Sequence, residues 1–250
     1  MTLEEFFREN RLVALGFSGG VDSSYLLWAA RSLGADVRAY YAKSAFQPAF
    51  EMQDALSIAK HIGAEVKVLS ADILASKEVA ANPENRCYHC KKILFGALVA
   101  QARADGTQVI IDGTNASDDL GDRPGAAALA EMSVRSPLRE CGLTKSDIRR
   151  LSKEAGLTNW NKPAYSCLAT RVPYGREITP ELLQRVECAE AALFALGFDG
   201  FRVRVFGEAA KLQLPFEQMK KALDMREGVL NALRPFFDQI LLDMEGRQPQ

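Results

Sequence analysis

Short apolar runs alternate with amphipathic stretches through the first 160 residues. RLVALGF (11–17) predicts a short buried strand. Residues 23–33 then place Leu26, Leu27, Ala30 and Leu33 on one side of a helix. VRAYYAKS (37–44) predicts a second strand, residues 53–62 a helix, AEVKVLS (64–70) a third strand, residues 91–104 a helix and QVIIDG (108–113) a fourth strand. MSVRSPL (132–138) reads as a weaker fifth. In LTKSDIRRLSKEAGL, Thr144 is placed to cap a helix, with Asp147 three residues on and Gly156 as the stop. Strands alternating with helices imply an α/β fold with a doubly wound, parallel, five-stranded sheet.

After Gly156 the pattern changes. Residues 158–180 are irregular and rich in Pro and Gly. A helix (180–196), strands in FRVRVF and KLQL, a helix (215–232) and a strand in QILLDM follow. That order predicts a smaller α+β domain at 161–250 behind a sheet domain at 1–160. Leu182, Leu183, Val186 and Leu193 form a stripe suited to a core or an interface. The apolar surface of so small a domain suggests a homo-oligomer.

The chain has 250 residues, 48% of them hydrophobic, enough for a sizeable core. Its 31 basic and 32 acidic side chains leave a net charge of −1, which gives no overall field for nucleic acid or an anionic membrane. No run approaches the roughly 18 apolar residues of a membrane span. MTLEEFFREN is acidic where a signal peptide is basic and then apolar. These features lead us to expect a cytoplasmic protein with no membrane partner. The five cysteines, Cys87, Cys90, Cys141, Cys167 and Cys188, are an odd number and argue against a disulfide framework.

Candidate chemistry starts at the end of the first strand, where SGGVDSS turns into a helix. Gly19 and Gly20 permit backbone conformations that side chains block. Ser18 and Ser23 offer hydroxyls, and the helix start presents N–H groups to an anion. Asp22 makes sense there if it holds Mg²⁺, which bridges carboxylate and phosphate oxygens. GxxxxGK[ST] and GxGxxG are both absent. SGGVDS resembles the PP-loop of the ATP pyrophosphatases, which cleave ATP between the α and β phosphates. NRCYHCKK and SCLATR supply Cys87, Cys90 and a distant Cys167. Three thiols are too few for a closed zinc site and suit a 4Fe–4S cluster with one iron left open.

FSGGVDSS, NRCYHCKK, DGTNASDDLGDRPG, PL..CGLTKSDIRRLSKEAGL, KPAYSCLATRVPYGREIT and FRVRVFGE together resemble the LarE family of ATP-dependent sulfur transferases. The resemblance implies a PP-loop domain of the adenine nucleotide alpha hydrolase-like fold. It also implies a small-molecule substrate, a pyridinium-3,5-dicarboxylate mononucleotide. Its carboxylates are adenylated by ATP and Mg²⁺ and become thiocarboxylates in nickel-pincer nucleotide synthesis. Ser18, Gly19, Gly20, Asp22, Ser23, Gly113, Thr114, Asn115, Asp118 and Arg123 match nucleotide-binding positions, with Asp22 as the Mg²⁺ ligand. Asn115 and Asp118 also suit turn residues. Arg171, Arg202 and Arg204 suit the substrate phosphate, the last two alternating on one side of a strand. Asp122 suits a loop ion pair or a phosphate contact. Glu190 is a weaker metal candidate. In one branch of the family a cysteine matching Cys167 gives up its own sulfur. In another, three cysteines hold a 4Fe–4S cluster, and this chain has all three, so Cys87, Cys90 and Cys167 are read as cluster ligands. His89, inside the CxxC, is not read as a ligand, and Cys141 and Cys188 receive no role. A tRNA thiolase, a PP-loop amidotransferase-type ligase and a nucleotide sensor are the rivals. The sulfur source is not legible in the sequence.

Overall fold

The computed structural model describes residues 1–119 and 124–247. In chain order the elements are α1 (Leu3–Glu9), β1 (Leu12–Gly16), α2 (Val21–Ser32), β2 (Asp36–Lys43), α3 (Ala49–Ile62), β3 (Val66–Ser70), α4 (Lys77–Ala80), α5 (Arg86–Ala104), β4 (Val109–Ile111), α6 (Pro124–Glu131), α7 (Pro137–Glu140) and α8 (Lys145–Glu154). Then come α9 (Pro180–Ala195), β5 (Arg202–Phe206), β6 (Ala209–Gln213), α10 (Phe216–Asp224), α11 (Arg226–Leu233) and β7 (Ile240–Leu242). The chain divides into two compact units. The first comprises Met1–Ile73 and Asn85–Lys162; the second comprises residues 74–84 and the chain from Pro163 onward.

The first unit carries a four-stranded sheet in the order β3-β2-β1-β4, every pair parallel. Alternation along β1 explains why both faces are covered. Val13 and Leu15 pack with Leu26, Leu27 and Ala30 of α2, Ala55 and Ile58 of α3 and Ile148 of α8. Ala14 points the other way, into Tyr40, Ile110 and Leu98, Val99 and Ala102 of α5. The sheet is therefore doubly wound, as expected, but it does not have five strands. The segment 132–138 contributes one isolated bridge, Arg135 to Ile111. Arg135 N–H donates to Ile110 O, and Arg135 O accepts from Asp112 N–H. Ser133 takes a left-handed φ of 56° on one side, and Pro137 opens α7 on the other, so only a short stretch stays extended.

Thr144 and Asp147 form the expected capping box on α8, which stops at Glu154 ahead of Gly156. Other boundaries move. α5 starts at Arg86, so Cys87 and Cys90 lie inside its first turns rather than before it. In the second unit, β5 and β6 are antiparallel and β7 joins β6 in parallel. The helix expected over 215–232 is two helices that meet at Met225. Leu182, Leu183, Val186 and Leu193 of α9 are buried core. Among the described residues no helix is long and apolar enough to cross a membrane.

Candidate active site

In the order β3-β2-β1-β4 the chain reverses direction across the sheet between β1 and β4. Ligands of open α/β sheets bind outside the carboxyl ends of strands at such a switch point. SGGVDS leaves β1 at this point. Gly19 has a φ of 72°, and a Cβ there would lie 2.5 Å from Ala55 Cα, so conformation and packing each require glycine. Gly20 caps α2 without a side-chain bond to its first N–H groups, which keeps them available to an anion. The Ser18 and Ser23 hydroxyls lie 3.1 Å apart, and Gly20 N–H donates to Ser18 Oγ at 3.3 Å.

The loop after β4 closes against this turn. A Cβ on Gly113 would lie 3.0 Å from Ser23 N, tighter than ordinary van der Waals contact, so the two backbones approach closely here. Thr114 donates from its N–H and its hydroxyl to buried Asp112, which also accepts from Ser136 Oγ at 2.7 Å. Asn115 and Asp118 do two things at once. They knit their own turn through Asn115 N–H to Asp118 Oδ2 (2.9 Å) and Ser117 N–H to Asn115 Oδ1 (2.8 Å). Asn115 Nδ2 also reaches Asp22 Oδ1 at 3.5 Å. Asp122 and Arg123 lie outside the described residues.

Between these loops lies a cavity of about 370 Å³. Tyr41, Phe95 and Leu98 form an apolar wall; Ser18, Asp22, Ser23, Gly113, Thr114 and Asp118 form a polar rim. Burial raises the pKa of the Tyr41 phenol, so it stays protonated at neutral pH. Two lysines that sequence reasoning passed over are present. Lys91, next to Cys90, lines the cavity. Lys145, the first residue of α8, places Nζ 2.5 Å from Asp22 Oδ2. The available signal was the capping box itself, which fixes the residue after Thr144 at a helix start. Asn159 was missed as well: its Nδ2 donates to Gly19 O at 3.1 Å and to Ser24 Oγ at 2.9 Å.

The second unit holds Cys167 at the entry of a 3₁₀ turn, Leu168–Arg171. Arg171 is 1% exposed and all three of its nitrogens are engaged. Nε and Nη2 donate to Glu190 at 2.8 and 2.9 Å; Nη1 donates to Ser166 O at 2.6 Å and Cys167 O at 3.3 Å. Glu190 also accepts from the Tyr165 hydroxyl and from Val203 N–H, so both its oxygens are occupied within the fold. Burial opposes the Arg171 charge, but the Glu190 bonds outweigh it and hold the pKa above the ordinary arginine value. Arg202, 4% exposed, donates to Ser166 Oγ at 2.7 Å, and Arg204 donates to Thr170 O and Gln213 Oε1. Burial, with Arg171 and Arg247 nearby, lowers the Arg202 pKa to about 10; burial and Arg171 also lower Arg204. An anion bound among these cations would relieve that repulsion.

No family model matches the chain. It is 41% identical to an uncharacterised protein of Synechocystis sp. over 98% of this chain and 93% of that protein. It is 34% identical to the pyridinium-3,5-bisthiocarboxylic acid mononucleotide synthase of Lactiplantibacillus plantarum, over 98% of this chain and 90% of the synthase. The chain belongs to the LarE family. A more distant relative, an uncharacterised protein of Methanocaldococcus jannaschii, is 28% identical over 97% of the chain.

Within this LarE chain all five cysteines are of intermediate exposure. Cys87 and Cys90, three apart on α5, lie on neighbouring positions of one helix side, and Arg86 Nη2 donates to Cys87 Sγ at 3.7 Å. That pair has the donor chemistry for iron; Cys167 belongs to the second unit. Among the described residues no three Cys, His, Asp or Glu side chains are gathered in one place to hold a metal ion.

Proposed function

We propose that this chain is an ATP-dependent sulfur transferase that converts the carboxylates of a pyridinium-3,5-dicarboxylate mononucleotide into thiocarboxylates. The observation that carries the reading is the SGGVDS turn. It combines a left-handed Gly19, an uncapped helix start and paired serine hydroxyls on the rim of a cavity at the switch point. The family relationship to a synthase of the bisthiocarboxylic acid mononucleotide supports the substrate class.

A carboxylate resists substitution because its leaving group would be oxide. In the proposed reaction a carboxylate oxygen attacks the α-phosphorus of ATP, the bond to the bridging oxygen of the β-phosphate breaks, and pyrophosphate leaves. The loop N–H groups and the Ser18 and Ser23 hydroxyls hold that anion as its charge grows. Mg²⁺, when bound at Asp22, supplies further charge neutralisation, and the oxygen-only donor set of Asp22, Thr114 and Asp118 fits that ion. Sulfur then attacks the acyl carbon and AMP departs. Arg202 and Arg204 are assigned to the substrate phosphate, and Arg171, with every nitrogen already engaged, to holding the Cys167 turn.

For the sulfur, our reading is a 4Fe–4S cluster held by Cys87, Cys90 and Cys167, which when bound supplies a sulfide that is not part of the chain. The alternative is Cys167 itself: its thiolate forms a thioester, then loss of the α-proton and cleavage of Cβ–S leave thiocarboxylate and dehydroalanine. We read the enzyme as a homo-oligomer acting on a small molecule rather than on nucleic acid.

The test is pyrophosphate release with ATP, Mg²⁺ and the dicarboxylate mononucleotide. Wild type is expected to release pyrophosphate only with both substrates present, and Asp22→Ala to lose at least 100-fold of that rate, of order 3 kcal/mol in barrier, with its unfolding temperature unchanged. A near-wild-type rate in Asp22→Ala would refute the assignment.

A further inference from the structure

The proposed chemistry leaves Asn159 without a task. Its turn closes on itself through Lys162 N–H to Asn159 O at 2.9 Å, and the side chain points away from that closure onto the SGGVDS turn. Of the two bonds made by Nδ2, one lands on Gly19 O of that turn and the other on Ser24 Oγ in the first turn of α2. Oδ1 of the same amide is buried with no hydrogen-bond partner. The polar contacts of this side chain are therefore the two made by its nitrogen. The amide is held for what its nitrogen does.

That nitrogen acts on the softest point of the anion cradle. Gly19 sits at a φ of 72°, and a glycine can rotate its following peptide with little steric resistance. The peptide between Gly19 and Gly20 is trans and planar, so its N–H points opposite to its C=O. Fixing Gly19 O on Asn159 therefore turns Gly20 N–H to the opposite side, toward Ser18 Oγ of the cavity rim, which it meets at 3.3 Å. Ala55 packs close to Gly19: a Cβ there would lie 2.5 Å from Ala55 Cα. If the carbonyl were released, the peptide could flip and present oxygen where an anion needs a donor.

We propose that Asn159 is a positioning residue that sets the affinity of the loop for pyrophosphate by holding the Gly19–Gly20 peptide with its N–H toward the cavity rim. This rests on the reading of the turn as an ATP pyrophosphatase loop. The test is calorimetric titration of inorganic pyrophosphate with Mg²⁺, and separately of AMP, into wild type, Asn159→Ala and Asn159→Leu. Leucine keeps the branched outline of four heavy atoms, removes the amide and adds no charge. Both variants are expected to bind pyrophosphate about tenfold more weakly, the loss of one charge-assisted hydrogen bond, with AMP affinity within about twofold of wild type. Unchanged pyrophosphate affinity in both variants overturns the proposal. So does an equal loss for both ligands, which a general collapse would give. Wild type that binds AMP and no pyrophosphate overturns the loop assignment, and the role of Asn159 with it.

Discussion

Lys145 and Asp22 are 123 positions apart in sequence, yet Lys145 Nζ lies 2.5 Å from Asp22 Oδ2. The loop has no lysine of its own, unlike GxxxxGK[ST] loops, and α8 delivers one from its first residue. In the proposed complex with Mg²⁺ and ATP, Asp22 and Lys145 would take separate partners, the metal and a phosphate. Lys145→Met is expected to raise KM for ATP about tenfold and lower kcat for pyrophosphate release. Both side chains are partly exposed, so the unfolding free energy should move by less than about 1 kcal/mol. Steady-state kinetics and urea unfolding on one preparation check both halves; an unaltered KM removes Lys145 from the site.

The Arg171–Glu190 pair behaves differently because it is buried, with side chains 0% and 2% exposed. Removing one partner leaves an uncompensated charge in the core. Glu190→Gln is expected to cost about 3–5 kcal/mol, read from urea midpoints at constant m. Arg171 also grips the carbonyls of Ser166 and Cys167, so the variant should let iodoacetamide reach Cys167 faster. A loss below about 1 kcal/mol, or an unchanged alkylation rate, contradicts this account.

Local signals carried much of the fold. The apolar runs of β1, β2 and β4 and the Thr144 capping box are short-range features, and each lies where its own residues place it. The fifth strand failed because Ser133 and Pro137 end the extended stretch on either side of Arg135, which strand propensity alone does not weigh. Met225 splits a helix that periodicity ran together. Of the proposed site, Ser18, Gly19, Gly20, Asp22 and Ser23 could be grouped from sequence because one turn contains them. Lys145 and Asn159 were not, since their relation to that turn exists only after α8 and residues 157–162 pack against α2. Arg171 was read as facing a ligand because a sequence shows the cation and not the buried Glu190 that takes it.

Phe216 and Met244 are 77% and 79% exposed, with Leu223 and Phe206 also largely uncovered, all in the second unit. A soluble monomer rarely presents so many large apolar side chains on a small domain. Multi-angle light scattering at micromolar concentration is expected to give at least twice the monomer mass, and Phe216→Glu with Met244→Glu to shift it toward the monomer. Wild type at monomer mass would set aside the oligomer.

The source of sulfur separates two chemistries with different mass balances. If Cys167 donates its own sulfur, Cβ–S cleavage leaves residue 167 lighter by hydrogen sulfide, each protein turns over once, and Cys87 and Cys90 are bystanders. If sulfide comes from a cluster held by Cys87, Cys90 and Cys167, the chain keeps its mass and turnover repeats. Cys87 and Cys90 lie on α5, whose Lys91, Phe95 and Leu98 line the cavity beside the SGGVDS turn, so the two thiols share a helix with the wall of the proposed adenylation site. That arrangement favours a role for both. Protein reconstituted with iron and sulfide under argon is therefore expected to make more than one thiocarboxylate per chain, to lose this with Cys87→Ser or Cys90→Ser, and to show unaltered intact mass. In a mass spectrum after reaction with ATP and substrate, a loss of hydrogen sulfide at residue 167, together with full activity of Cys87→Ser and Cys90→Ser, would assign the sulfur to Cys167 instead.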